Sequence, residues 1–187
     1  MNHTSRTAKV ALFCFVALVH HAAHAQSAGS RLMGVWTGVH IGKGENPQAS
    51  GIEVELWTNQ GQLSGYMVEY VGPDADPPVG KLDGIRFDEK TGSLAFTAKL
   101  SVGVVAAARG SAWIPSKNVY EFKGTLGKDA MTGTLRRKFV DEDGGETAYD
   151  ENVTLESKKL ADAAAAESFA DWTKRWSEAL KKRGPKW

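Results

Sequence analysis

The sequence predicts an antiparallel all-β protein, a meander of eight or nine strands closed into a barrel, with an amphipathic helix packed against it at the C-terminal end. Three observations predict it. From Leu32 to Glu156, short runs of alternating apolar and polar residues are separated by Gly, Pro, Asp and Asn, the pattern of half-buried strands. A row of eight consecutive hairpin strands leaves bare edges unless the sheet closes on itself; a two-sheet sandwich is the competing arrangement. From Ser157 onward the chain is rich in Ala, Glu, Lys and Leu and has no proline before Pro185.

The first 25 residues stand apart from the fold. Met1 to Lys9 carry Arg6 and Lys9 and no acid, "VALFCFVALV" follows at 10–19, and Ala23-His24-Ala25 forms a small-residue cleavage site. This is the pattern of a secretory signal peptide cleaved after Ala25, which gives a periplasmic or secreted address. The apolar run is too short to span a bilayer. Phe13 is too bulky for the small residue that a lipoprotein signal places before its cysteine, which argues against lipidation at Cys14.

Cleavage changes the inventory. Cys14, His3, His20, His21 and His24 leave together, so the mature chain has no thiol and keeps only His40. The leader's two cations leave as well, so 23 basic residues become 21 against 22 acidic. So balanced a chain has no general attraction for nucleic acid. Without disulfides its stability must come from a core, and about 160 residues suffice for one.

Residues 26–32 form a flexible lead-in and 33–156 the barrel domain. Strands are expected over 33–41, 51–58, 62–71, 80–88, 93–101, 104–114, 118–126, 130–140 and 146–156. In "GIEVELW" the alternation puts Ile52, Val54 and Leu56 on one face and Glu53 and Glu55 on the other. "SLAFTAKL" does the same with Leu94, Phe96, Ala98 and Leu100. "GPDADPPVG" at 72–80 is the strongest break.

The helix is expected over 157–183, with 184–187 as a tail. Phe169, Trp172, Trp176 and Leu180 fall on one helical stripe. Lys181, Lys182 and Arg183 suit the negative end of the helix dipole, and Gly184-Pro185 stops it. The stripe is expected to pack on the barrel's outer wall, with Trp57 as a contact. The alternatives are that it plugs the barrel mouth, or meets a membrane surface or a protein partner.

Gly34-Val35-Trp36 opening a β meander that ends in a helix resembles the lipocalin-like or calycin barrels and similar small exported bacterial β-barrel proteins. The resemblance implies carriage of a small apolar ligand. It also implies that Trp36 closes the barrel floor against a basic side chain, Arg136 or Arg137. The sequence departs from that family in lacking a disulfide and a T-D-Y motif.

Hairpin arithmetic gives an interior. A four-residue turn at 127–130 pairs Leu126 with Met131, Gly124 with Gly133, Phe122 with Leu135 and Tyr120 with Arg137. A turn centred on Gly144 pairs Phe139 with Tyr149, Arg137 with Glu151 and Leu135 with Val153, so that apolar meets apolar and Arg meets Glu. A turn at 115–118 sets Trp113 opposite Tyr120. Trp113, Tyr120, Arg137 and Glu151 then share the inward face.

The motifs for other chemistries are incomplete. A lone His40 builds no zinc site, and no G-x-S-x-G presents a serine to it. "GKG" at 42–44 lacks the spacing of a phosphate loop, and "DEDGGETAYDE" at 141–151 misses the EF-hand spacing and reads as a hairpin tip. No catalytic group, metal or cofactor is assigned. Glu69 and Glu151 are the two carboxylates that stand out in apolar strands, which leaves a small hydrolase or cyclase as a remote reading. An interaction or inhibitor module of the cell envelope is another. The first reading is a monomeric, non-enzymatic binder of a lipid-like or partly apolar ligand. Its binding residues would be Trp36, Tyr66, Tyr70, Trp113, Tyr120, Arg137 and Glu151, with Phe96, Phe122 and Leu135 completing the lining.

Overall fold

The computed structural model describes residues 31–43, 47–72, 77–106, 113–140, 145–159 and 168–183. Eleven strands run in chain order: β1 (Arg31–Thr37), β2 (His40–Ile41), β3 (Ala49–Asn59), β4 (Gln62–Gly72), β5 (Val79–Phe87), β6 (Ser93–Leu100), β7 (Val104–Ala106), β8 (Trp113–Pro115), β9 (Asn118–Leu126), β10 (Ala130–Val140) and β11 (Glu146–Ser157). Among the described residues one helix, α1, covers Phe169–Arg183. The leader expected over 1–25 lies outside the described residues.

β1 pairs with β3 on one side and with β11 on the other, which closes an antiparallel barrel of eight strands: β1, β3, β4, β5, β6, β9, β10 and β11. β2 is an extra strand on β3, and β7 and β8 form a separate ribbon. The single strand expected over 104–114 is therefore two short ones. β9 turns from β8 and pairs with β6, bringing Phe96 opposite Phe122 and Ala98 opposite Tyr120.

Local chemistry sets the corners. β3 and β4 are joined by Gln60 and Gly61, both at positive φ, the two-residue turn whose twist suits a hairpin. The β9–β10 hairpin has the expected register, from Leu126 opposite Met131 to Tyr120 opposite Arg137. The β10–β11 hairpin is displaced by two residues: Arg137 stands opposite Tyr149 and Leu135 opposite Glu151. A shift of two keeps every side chain on its face, because the strand period is two.

The centre of the barrel is solid. Ile52, Val54, Leu56, Met67, Leu94, Phe96, Leu100, Tyr120, Phe122, Met131 and Leu135 form one buried cluster, with Trp36 and Leu155 in it. Phe96 and Phe122 stack with centroids 5.1 Å apart. The facing glycines Gly124 and Gly133 make room: a Cβ on Gly124 would lie 2.7 Å from the Phe122 ring.

Helix α1 packs on the outer wall as expected. Trp172 stacks on Tyr66 at 4.4 Å, and Phe169 meets Trp57 at 6.1 Å. The helix starts at Phe169 rather than 157, since Ser157 ends β11 and residues 160–167 lie outside the described set. Ser168 caps it: its Oγ accepts from the Asp171 amide at 3.1 Å and donates to the Asp171 carboxylate at 2.6 Å. Glu53 and Glu55 lie on the outward face, but both are buried rather than in water, and Glu53 pairs with Lys158.

Candidate functional site

Two pairs of neighbouring strands lose their ladder, one at each end of the barrel. At the first, β1 pairs with β11 only through Trp36–Ser157 and Thr37–Glu156. Beyond Thr37 the chain stays with β3, where Gly38 donates its amide to the Ile52 carbonyl at 2.9 Å and β2 continues the same register. β11 is left without β1 from Leu155 to its start. The opening is a cleft of about 320 Å³ that reaches inward to Arg137 and Glu151. At the other end, β4 and β5 pair only from Tyr66–Lys81 to Val68–Val79. An irregularity in β5 between Asp83 and Arg86, with Gly84 at positive φ, turns the strand away. The open hollow there, about 600 Å³, has Met33, Leu63, Ile85 and Phe87 in its walls and Arg31 and Glu89 among its charged lining.

The inward charges cluster at the first opening. Arg137 donates from Nε to Glu151 Oε1 at 2.7 Å and pairs with the same oxygen through a second nitrogen. Its third nitrogen lies 3.6 Å from Glu69 Oε1. Glu69 is 5% exposed, and its other oxygen accepts from Asn118 Nδ2 at 2.9 Å. The Arg137 guanidinium sits over the Tyr120 ring at 5.3 Å. Burial, and then the charge of Glu69, push the Tyr120 phenol far above its ordinary range, so it stays neutral. Its hydroxyl is buried and makes no hydrogen bond of good geometry. Further out on the same face, Phe139 and Tyr149 stack at 5.7 Å.

The expected site residues divide accordingly. Tyr120, Arg137 and Glu151 come together inside, as the alternation predicts. Trp36 is also inside, opposite Val54 with its ring against Gly34, but Arg137 takes the Tyr120 ring and Arg136 pairs with Asp150 at the surface. Tyr66 and Tyr70 are corrections: they alternate with the inward Met67 and Glu69, so they belong to the outer face, where Tyr66 carries Trp172. Trp113 is another correction, since it pairs with Ala106 across the β7–β8 ribbon and not with Tyr120. A hollow lined by Phe96, Phe122 and Leu135 is not formed, because these residues fill the centre themselves. His40 lies exposed at the rim of the cleft.

Glu69 and Asn118 complete the cluster and were not among the expected binding residues. The signal for Glu69 was in the sequence, a lone acid at an inward position of "YMVEY". Its partners were not, because β4 lies neither beside β9 nor beside β10. Among the described residues no group of three His, Cys, Asp or Glu is placed to hold a metal ion. No helix among them is long and apolar enough to cross a membrane. The chain matches no protein-family model, no curated protein and no solved structure.

Proposed function

We propose that the protein is an exported binder of a small, partly apolar molecule, and that its site is the β1–β11 cleft rather than the centre of the barrel. One observation carries this reading: a buried cluster of charged groups opens to the surface where the barrel's own ladder stops. Buried ion pairs add little net stability, since desolvation offsets their attraction. A cluster of this kind facing an opening is better explained by recognition. The cleft also supplies apolar contact through Ile52, Val153 and Leu155. Its volume is at the small end of ligand pockets. Both inward carboxylates are already engaged by Arg137, which favours binding over acid–base turnover.

The test is native mass spectrometry of the protein purified from its own cell envelope. The expected spectrum shows a chain beginning at Gln26 with a bound small molecule, lost in a Val153→Trp variant that fills the cleft from its partly exposed wall. A bare chain that also takes up no amphiphile in calorimetric titration overturns the reading.

A further inference from the structure

We infer that the seam cleft selects amphiphilic cations, with the Glu151 carboxylate as its anchor and Arg137 as a positioning residue. This rests on the binding role proposed above and names the ligand class. An arginine inside a barrel invites the opposite assignment, a receptor for a ligand's carboxylate. Here the guanidinium fork is already occupied. Nε and one terminal nitrogen hold Glu151, the other terminal nitrogen faces Glu69, and the plane covers Tyr120. An anionic ligand would have to compete with Glu151 for the same nitrogens, or displace Glu69 and strand it in the interior, which is costly.

Charge points the same way. Among the described residues, the cluster holds two carboxylates, Glu69 and Glu151, against one guanidinium. Arg136 and Lys138, the neighbouring cations, are paired outward with Asp150 and Glu121. The excess is therefore one negative charge. Glu69 is sealed behind, whereas the Glu151 side chain is 33% exposed and lines the cleft. Glu151 is thus the carboxylate a visitor can reach. The Tyr120 hydroxyl is buried inside the cluster beside Glu69, so it adds no charge there. An ammonium group donating to Glu151, with its chain on Ile52, Val153 and Leu155, meets these features together.

The experiment titrates the mature protein calorimetrically with octylammonium, 1-octanol and octanoate, which share one chain and differ in head charge. Octylammonium is expected to bind about tenfold tighter than octanol, the scale of one added charge-assisted hydrogen bond, with octanoate weakest. Glu151→Gln should bring octylammonium down to the octanol affinity and leave octanol unchanged. If that variant fails to fold, salt decides in the unaltered protein: added NaCl should weaken octylammonium binding and leave octanol binding alone. Octanoate binding best, or all three alike, overturns the inference while the binding role stands. No binding by any of the three overturns both.

Discussion

Arg137 separates two kinds of buried polar residue at this site. One depends on it: Glu69 sits in the interior with Arg137 as its counter-charge. Arg137→Ala should lower stability by about 3–5 kcal/mol, the usual cost of stranding one partner of a buried pair. The other is Tyr120, whose hydroxyl makes no hydrogen bond of good geometry. Tyr120→Phe should fall within about 1 kcal/mol of the unaltered protein in the same denaturant titrations. A loss of several kcal/mol there would mean that the hydroxyl is bound after all. Arg136→Ala is the control, since Arg136 is an exposed partner of Asp150 and surface pairs are worth about 0–1 kcal/mol. That Arg137 points inward and Arg136 outward was legible in "TLRRKF", because one inward leucine fixes the parity of the strand. Which carboxylate it meets was only half legible. Glu151 lies on the adjacent strand and within two residues of the expected register, whereas Glu69 reaches Arg137 from a strand that is not its neighbour.

At the level of the element, helix α1 explains why Tyr66 and Tyr70 belong to the outer face of β4 and not to the interior. In "GYMVEYV" both faces carry large side chains, and alternation alone does not say which face is inside when a helix covers the other. Trp172 is the centre of that cover, 3% exposed between Tyr66, Phe169 and Trp176. Trp172→Ala should destabilise the helix-docked state by about 3–5 kcal/mol, read as rapid amide exchange in α1 and binding of an apolar dye to the bared wall. The cover also traps Glu55, whose second oxygen is buried without a partner. Burial pushes its carboxyl above the ordinary 4.5, with Glu53 adding to the rise while Tyr66, Trp57 and Lys158 oppose it. Arg175 of the helix acts on the neighbouring Tyr66. The docked state therefore binds the proton more tightly than the undocked one. Docking should be strongest below pH 4.5, weaken as pH rises through the raised value, and level off above it. Glu55→Gln should flatten that profile and raise the melting temperature at pH 7, with the two proteins converging below the ordinary carboxylate range. A melting temperature of the unaltered protein that climbs across this window would refute the assignment.

For the whole molecule, the eight barrel strands followed from hairpin patterning, because each announces its own alternation and its own turn; the order failed at 104–114, which stands outside the barrel as the β7–β8 ribbon and leaves β6 to pair with β9. Closure is a different kind of fact. β1 carries no mark of its pairing with β11, and the two ladders that stop early, at Thr37 and at Tyr66, depend on the global twist rather than on any one turn. The barrel is consequently uneven around its circumference. β10 is tied to β11 by eleven residue pairs and to β9 by eight, whereas β1 holds β11 by two, with Lys158 adding one amide to the Val35 carbonyl at 2.8 Å. Local opening follows the weakest cooperative contacts. Amides of β11 between 146 and 155 that point away from β10 should exchange first, followed by those at the β4–β5 gap, while β9 and β10 exchange last and by global unfolding. Pulsed hydrogen exchange read by NMR checks the order. Uniform protection around the ring would mean that the seam is closed in solution, and the cleft with it. Saturating octylammonium should slow exchange at the β1–β11 seam and leave the β4–β5 gap unchanged, which ties occupancy to this one opening rather than to general stabilisation of the fold.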